Sequence, residues 1–221
     1  MNGPKLFGYL FGLPVSETLV NTWITMAIAF VMCFVLTRNL KKHPGKAQVI
    51  GEGIVTAIDN LVGSAMGKDK MKFAPYILSL MMFLIFANTC GLYGLRSPTG
   101  DISFPLTLAL ITFVLIEVYT WKGRGPKGYF KEFIEPYPFM LPINIIEKFS
   151  RPVSMTFRIF GNLVGGIIIM LLVYEGLSGL TYLALIIPIP LHFYFDIFVG
   201  CIQAFIFAML TMVFIARGMD D

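Results

Sequence analysis

The sequence carries little charge: Asp, Glu, Lys and Arg make up only 14% of its 221 residues, whereas 57% of the residues are hydrophobic. The mean hydropathy is +0.77. A soluble domain of this length does not need so much apolar surface, and several apolar segments exceed the ~20 residues that span a bilayer. The composition therefore excludes an ordinary soluble domain. It predicts an all-α polytopic membrane protein, with residues 1–221 forming one membrane domain.

The sequence also lacks the patterns that carry catalysis or cofactor binding. It contains no phosphate-binding glycine loop, no cluster of metal ligands and no nucleophile beside a base. Its three cysteines, Cys33, Cys90 and Cys201, lie singly in apolar runs, which indicates packing in the core rather than a disulfide or a metal site. We therefore expect no catalytic residue, no metal, no cofactor and no nucleic acid partner. The first eight residues also lack the pattern of a cleaved signal peptide.

About five apolar segments are predicted to span the membrane. They are Thr18–Leu36, Phe73–Tyr93, Pro105–Trp121, Ile143–Gly176 and Thr181–Ala216, and the prolines of Tyr129–Pro142 predict a loop before the fourth. They divide the chain into residues 1–72, 73–142 and 143–221. The last two segments could each reach ~50 Å as straight helices, against a hydrocarbon core of ~30 Å. We therefore expect these two to form a steeply tilted hairpin.

A further segment, between the first two spans, has the pattern of a surface helix. Its apolar residues keep helical spacing opposite Glu52 and Asp59; they are Ile50, Ile54, Ala57, Ile58, Leu61 and Val62. This pattern predicts an amphipathic helix that lies along the membrane surface or against a partner.

The basic residues predict the orientation. Seven Lys or Arg residues lie between the first two spans and six lie from Lys122 to Arg151, whereas the other loops hold only Arg96 and the N-terminus only Lys5. By the positive-inside rule the basic loops, and the amphipathic helix with them, are cytoplasmic. Five spans then place the N-terminus outside and the C-terminus in the cytoplasm. This topology also explains the net charge of +4.

The segment Ser150–Gly166 carries an arginine, Arg158, near the middle of a long apolar run. A guanidinium cannot lose its proton, and its burial in lipid costs from ~3 to over ~10 kcal/mol unless it has a partner. Four small or polar residues share its helix face, at i+3, i+4, i+7 and i+8: Gly161, Asn162, Gly165 and Gly166. This face would let another helix approach closely. The alternative is a structural arginine paired to an acid in the same helix bundle.

Other polar residues at membrane depth suggest a path for ions. The last helix contributes His192, Asp196 and Gln203; towards the outer side we add Glu175, Asp101 and Ser103 as candidates for lining the path. His192 could equally be an interfacial histidine. Towards the inner side, Glu117 and Glu147 are candidates for a second path. Either could instead be an interfacial anchor, and Glu147 could pair with Lys148 and Arg151.

Four motifs together resemble the subunit a family of F-type ATP synthases. They are Arg-Ile-Phe-Gly-Asn at 158–162, which Arg-Pro-Val-Ser precedes and Gly-Gly follows; Gln-Ala-Phe-Ile-Phe-Ala-Met-Leu-Thr at 203–211; Pro-Ile-Asn-Ile-Ile-Glu at 142–147; and Pro-Thr-Gly-Asp at 98–101. The resemblance covers the chain from about Pro75 to its end, in the family's order. The first seventy residues match only in general layout.

The resemblance implies an ion-translocating stator subunit, itself non-catalytic, in a bacterial-type inner (plasma) membrane. In such a subunit two half-channels face a rotating ring of c subunits and couple H+ or Na+ flow to ATP synthesis; peripheral-stalk b subunits and membrane lipid are further partners. It implies that Arg158 faces the ring, that Asn162 and Gln203 flank Arg158, and that Asp196 belongs to the outer half-channel. Ile167 departs from the His or Glu of many proton-driven members. Either Asp196 replaces that function or the outer path does not relay protons, and the second alternative slightly favours sodium. An ion-coupled secondary transporter is the alternative, although the sequence lacks the repeated halves of that class.

Overall fold

The computed structural model describes residues 6–10, 13–38, 45–93, 95–134, 137–177, 179, 183 and 186–220. Within these residues, seven α-helices follow a short N-terminal hairpin of two antiparallel strands, β1 (Leu6–Leu10) and β2 (Leu13–Ser16). The helices are α1 (Glu17–Thr37), α2 (Lys46–Met66), α3 (Ala74–Thr89), α4 (Ser103–Ile134), α5 (Leu141–Gly176), α6 (Pro188–His192) and α7 (Gly200–Asp220). Four 3-10 turns, Lys68–Phe73, Cys90–Tyr93, Pro98–Gly100 and Pro138–Met140, and a π-helical segment, Phe193–Val199, connect or extend them.

Six helical segments of the described chain are long and apolar enough to cross a membrane. They are Glu17–Thr37, Lys46–Met66, Lys68–Leu92, Ser103–Ile134, Pro138–Gly176 and Pro188–Met219. The helical multi-pass architecture is thereby confirmed. The expectation of about five spans plus a surface helix stays a prediction, because α2 is long enough for either arrangement, although its mean hydropathy of 1.2 is the lowest of the six.

The packing of α2 matches its amphipathic pattern in one half only. Ile58 and Val62 are buried, whereas Ile50 and Ile54 are exposed. The C-terminal half of α2 therefore packs inside the bundle, and its N-terminal half presents apolar side chains outward.

Helix α7 lies at the centre of the bundle, in contact with α3 and α4. Two buried apolar clusters meet on it: one contains Ile77, Ile116, Ala208, Met212 and Ile215, and the other contains Leu84, Ala109, Met155, Ile159, Ala204 and Phe207. The small residues Ala204 and Ala208 are fully buried. They let neighbouring helices approach closely, as is common where membrane helices pack.

The outer surface of the bundle is apolar, and this corrects the prediction for one cysteine. Large side chains of α1 such as Phe30, Val31 and Val35 are exposed, as expected where lipid surrounds a helix. Cys33 lies among them and is exposed, so its predicted place in the core was wrong; Cys90 is buried and Cys201 is partly buried.

The predicted loop from Tyr129 to Pro142 was wrong at both ends, since α4 extends to Ile134 and α5 begins at Leu141. Helix α4 bends at Gly125, where φ is 69° and ψ is 175°, and its helical backbone then continues to Ile134. The prolines that motivated the loop begin only at Pro136, so nothing in residues 129–134 prevents a helix.

The long helix was predicted well. Its 36 residues, Leu141–Gly176, enclose the predicted Ile143–Gly176 without a break at Pro152. At 1.5 Å per residue α5 is about 54 Å long, well beyond the ~30 Å hydrocarbon core. The steep tilt of the hairpin stays a prediction. Of its expected tip, residues 175–180, Ser178 and Leu180 lie outside the described residues, and so do residues 181, 182, 184 and 185 at the start of its second arm.

Candidate functional site

Arg158 lies on a face of α5 that the described helices leave exposed. Glu147, Arg151 and Ser154 share this face with Arg158, because the successive intervals along the helix are four, three and four residues. Together with Leu210 and Phe214 of α7 these residues line an open groove of about 460 Å³, which we call the Arg158 groove. Arg151 donates to the Glu147 carboxylate at 3.0 Å and its guanidinium lies 4.9 Å from the centre of the Phe214 ring.

The Arg158 side chain is exposed, and within the described part of the chain it has no hydrogen bond or ion pair. The alternative of a structural arginine paired to an acid of its own bundle therefore finds no partner among these residues. A guanidinium at membrane depth needs a counter-charge. None of the described residues supplies that charge to Arg158.

Asn162 and Gln203 join α5 to α7 one turn beyond Arg158. The Asn162 amide donates to the Gln203 side-chain oxygen at 2.6 Å. Asn162 is exposed, whereas Gln203 is only 4% exposed. The sequence placed both amides near Arg158, and the structure adds that they bind each other.

A second cavity, which we call the Asp196 cavity, lies on the other side of this amide pair. Its volume is about 200 Å³, and its lining includes Asn162, Ile167, Tyr174, His192 and Asp196. Asn162 therefore borders the Asp196 cavity and lies one helical turn from Arg158. Among the predicted site residues, the structure brings His192, Asp196 and Asn162 together around one cavity.

Three side chains of the Asp196 cavity form a hydrogen-bonded series. The Tyr174 hydroxyl lies 3.0 Å from Nε2 of His192, and Nδ1 of His192 lies 2.9 Å from a carboxylate oxygen of Asp196. Asp196 belongs to the π-helical segment, and its carboxylate packs against Gly91, where a Cβ would come within 3.3 Å of it. Tyr174 was missed from the sequence, although its spacing of seven residues from Ile167 places both on one helix face.

The remaining candidates for the outer path lie elsewhere. The Asp101 carboxylate accepts hydrogen bonds from the Thr18 hydroxyl at 3.1 Å and from the Ser103 backbone N–H at 3.2 Å. It thus caps the start of α4 against α1. Glu175 is exposed. None of Asp101, Ser103 and Glu175 is among the described residues that line the Asp196 cavity, and their participation in an ion path stays a prediction.

The two inner candidates differ in their contacts. Glu147 pairs with Arg151, as expected, and borders the Arg158 groove. Glu117 instead accepts from the Tyr129 hydroxyl at 2.7 Å and pairs with Lys148 at 2.9 Å. The predicted pairing of Lys148 with Glu147 was wrong, because the two residues are adjacent on α5 and their side chains point about 100° apart.

A buried polar network that sequence reasoning missed holds the start of α7. The Asn88 side chain donates to the Gly200 carbonyl at 3.0 Å and accepts from the Thr99 hydroxyl at 3.0 Å. The Ser97 hydroxyl lies 2.7 Å from that of Thr99 and donates to the Ala87 carbonyl at 2.6 Å. A polar Asn88 inside the second apolar span was the available signal, since membrane-buried amides usually serve helix contacts.

Replacing Gly200 by alanine is expected to destabilise the bundle. A Cβ at position 200 would lie 3.0 Å from the Cβ of Asn88, which is too close for the buried contact between the two helices. The resulting strain, about 1–3 kcal/mol, outweighs the ~1 kcal/mol by which alanine improves helix propensity. Thermal unfolding of the purified protein in detergent should show a lower transition temperature.

The matched control is Gly53→Ala in α2, where nothing lies within 4 Å of the added methyl group. This variant should unfold at the same temperature as the unaltered protein or at a higher one. Equal transition temperatures for Gly200→Ala and Gly53→Ala would contradict the close contact with Asn88.

Comparison with known proteins gives one consistent result. A family model described as "ATP synthase A chain" matches residues 19–216. A protein from Bradyrhizobium sp., named "ATP synthase subunit a 2", is 38% identical and aligns with 94% of this chain and 90% of its own length. "ATP synthase subunit a, sodium ion specific" from Propionigenium modestum is 33% identical, over 96% of this chain and 77% of its own. "ATP synthase subunit a" from Moorella thermoacetica is 31% identical, over 95% of this chain and 93% of its own length.

Proposed function

The chain belongs to the ATP synthase A chain family, and on that premise we propose that it is the ion-translocating stator of a rotary F-type ATP synthase. Membership makes it a multi-pass subunit of the membrane sector, which takes part in ion transport and ATP synthesis. The observation that carries the finer proposal is Arg158, which is exposed in the Arg158 groove and has no hydrogen bond or ion pair among the described residues. It lies one helical turn from Asn162, which borders the Asp196 cavity.

The counter-charge of Arg158 is a carboxylate on a ring of c subunits. An exposed guanidinium beside Gly161 and Gly165 suits this role, since no described residue of another helix lies within 4 Å of a Cβ at either glycine. A rotor helix can therefore approach closely and bring its carboxylate to the arginine. Peripheral-stalk b subunits and membrane lipid cover other parts of the surface.

Two half-channels, offset around the ring, lead ions to and from that carboxylate. Ions enter from outside through the Asp196 cavity, pass the amides of Asn162 and Gln203, and load the ring carboxylate. After a nearly full rotation they leave inward along the Arg158 groove, past Glu147. Arg158 attracts the emptied carboxylate and blocks the direct route between the half-channels. The membrane potential contributes ~2.3 kcal/mol per charge per 100 mV.

Family membership favours this function over the secondary transporter that the composition alone would also allow. The orientation in the proposal is that of the positive-inside rule, with the N-terminus outside and the C-terminus in the cytoplasm. Its membrane is the inner (plasma) membrane of a bacterial-type cell.

The coupling ion in this proposal is sodium. The Asp196 cavity offers carboxylate, phenol and amide oxygens in a volume of about 200 Å³, and Ile167 supplies no titratable group there. Oxygen ligands suit a hard cation. The relative from Propionigenium modestum is described as sodium ion specific. The hydrogen-bonded series of Tyr174, His192 and Asp196 is the feature that would serve a proton instead.

Cysteine crosslinking within the complete complex tests the stator geometry. Cysteines at Gly161 and Gly165 should form disulfides with cysteines on the outer helix of a c subunit, because both positions are open in this chain. Two controls should not crosslink: Ile159→Cys, which is buried on the opposite side of α5, and Val114→Cys, which is exposed but lies on α4. Comparable yields at all four positions would contradict a single ring-facing side.

A further inference from the structure

We infer that Lys148 is a positioning residue whose buried ion pairs set the rotation of α5, and thereby the direction in which Arg158 faces. Lys148 lies ten residues before Arg158 and takes no part in the proposed ion path. It is a lysine only 6% exposed in a membrane helix, and such a charge is retained only where partners hold it.

The partners of Lys148 lie on α4. Glu117 precedes the bend at Gly125, and the other three follow it. Its ammonium lies 2.9 Å from a Glu117 carboxylate oxygen and 3.5 Å from one of Glu132. It also lies 4.1 Å from the centre of the Tyr129 ring and 4.4 Å from that of Phe133. Two carboxylates and two aromatic rings thus surround one cation, and the Tyr129 hydroxyl holds Glu117 in place at 2.7 Å.

The geometry of α5 connects this cluster to the ion path. Two rows of side chains run along α5 with the same intervals, and each residue of one row directly follows a residue of the other in the sequence. We call these rows stripes. The buried stripe is Lys148, Pro152, Met155 and Ile159, and the open stripe is Glu147, Arg151, Ser154 and Arg158. One residue corresponds to a rotation of about 100° in an α-helix. Because the helix turns as one body, a contact that sets the direction of the buried stripe also sets that of the open stripe.

The ion pairs set this direction more sharply than the apolar contacts do. Apolar side chains such as Met155 and Ile159 can repack against a neighbour after a small rotation at modest cost. A buried carboxylate that loses its cation costs far more, so the pairs with Glu117 and Glu132 hold the helix at one angle.

Removing the charge of Lys148 therefore has a specific expected consequence. Arg151, three residues further along α5, is the nearest cation on the same helix, and a rotation of about 60° would bring it towards Glu117. That rotation would break the pair of Arg151 with Glu147 and would turn Arg158 towards the interior. The expected defect is a rotated helix with poor coupling, in a subunit that still assembles.

The experiment combines Lys148→Met with cysteine crosslinking in the complete ATP synthase complex. Methionine keeps the length of the side chain and removes the charge. The readout is the ratio of c-ring crosslinks from Gly165→Cys to those from Phe157→Cys. The two positions lie about 80° apart around α5, and Phe157 is exposed whereas Gly165 is partly exposed. We expect this ratio and the rate of ATP synthesis to fall at least severalfold. Lys127→Met, an exposed lysine of the same α4 segment, should change neither.

The exchange Lys148→Glu with Glu117→Lys provides the rescue, because it restores an ion pair of opposite polarity. It should return both the ratio and the synthesis rate towards those of the unaltered complex. An unchanged ratio in Lys148→Met overturns the inference whatever happens to synthesis, and so does an exchange that fails to restore it. If Lys148→Met does not assemble, the exchange alone is decisive: normal crosslinking supports the inference, and failure to assemble or an altered ratio overturns it.

The inference rests on the proposed function in one respect: it takes from that proposal that Arg158 faces the c-ring. The two fail differently in this experiment. If the stator proposal is wrong, no α5 cysteine crosslinks to the c-ring even in the unaltered background. If only the role of Lys148 is wrong, the crosslinks form and their ratio does not move.

Discussion

Replacing Arg158 by alanine is expected to abolish ion-driven ATP synthesis while the complex still assembles. The side chain is exposed and makes no hydrogen bond or ion pair within the described chain, so its loss leaves no buried group of this subunit unpaired. Arg158 is the cation that attracts the emptied ring carboxylate in this proposal, and an uncompensated charge at membrane depth is costly, so its removal opposes the passage of that carboxylate. Synthesis in reconstituted vesicles should therefore fall to background.

The same variant should also leak. If the guanidinium blocks the direct route between the Asp196 cavity and the Arg158 groove, its removal raises the passive ion flux through the membrane sector. Arg158→Lys should retain part of the block, since the charge stays, but an ammonium can lose its proton in a low dielectric and a guanidinium cannot.

The matched control is Arg38→Ala, another exposed arginine, at the end of α1 and away from both cavities. It should synthesise ATP at the unaltered rate and show no added leak. Normal synthesis by Arg158→Ala would overturn the stator role of the arginine, and loss of synthesis in both variants would indicate a general effect of removing basic residues.

An imposed sodium gradient is expected to drive ATP synthesis with a protonophore present. A hundredfold gradient supplies about 2.7 kcal/mol per ion, and the membrane potential adds to it. The reason lies in the Asp196 cavity, where Asp196, Asn162 and Tyr174 supply oxygen ligands. Ile167, which also lines the cavity, has no titratable group that could pass on a proton. The protonophore removes the proton gradient, so that synthesis reports sodium entry alone.

Two controls make this result interpretable. A potassium gradient of the same size should support no synthesis, and the Arg158→Ala complex should fail under the sodium gradient too. If a pH gradient drives synthesis and the sodium gradient does not, sodium coupling is wrong. The hydrogen-bonded series of Tyr174, His192 and Asp196 would then be the proton relay through the cavity.

Much of the fold could be predicted because its signals are local. Helix α5 was predicted to within two residues at its start and correctly at its end, since a long apolar run without a strong breaker must form a helix in a membrane. The error at Tyr129–Ile134 has the opposite origin. The prolines beyond these residues suggested a loop, whereas contacts with Lys148 on α5 support a helix.

The sequence predicted several residues of the candidate site, but it predicted few of the contacts between them. Arg158 and Asp196 stood out because charged side chains are rare in apolar segments. Tyr174 did not stand out, since tyrosines are frequent near membrane interfaces. Asn88 could be noticed as a polar residue in an apolar span, but its hydrogen-bond partners could not be read from the sequence. Asp101 was expected near the ion path, yet its carboxylate caps the start of α4 and accepts from Thr18.

By itself the sequence determined the membrane architecture, the family resemblance and the few charges at membrane depth, because each depends on residues close together in the chain. Only the tertiary structure decided which polar groups meet: Asn162 with Gln203, His192 with Tyr174 and Asp196, and Lys148 with Glu117 rather than Glu147. These pairings depend on the rotation and depth of each helix relative to its neighbours. Rotation and depth follow from many apolar contacts between segments that are distant in the sequence. A local sequence pattern cannot predict the combined effect of those contacts.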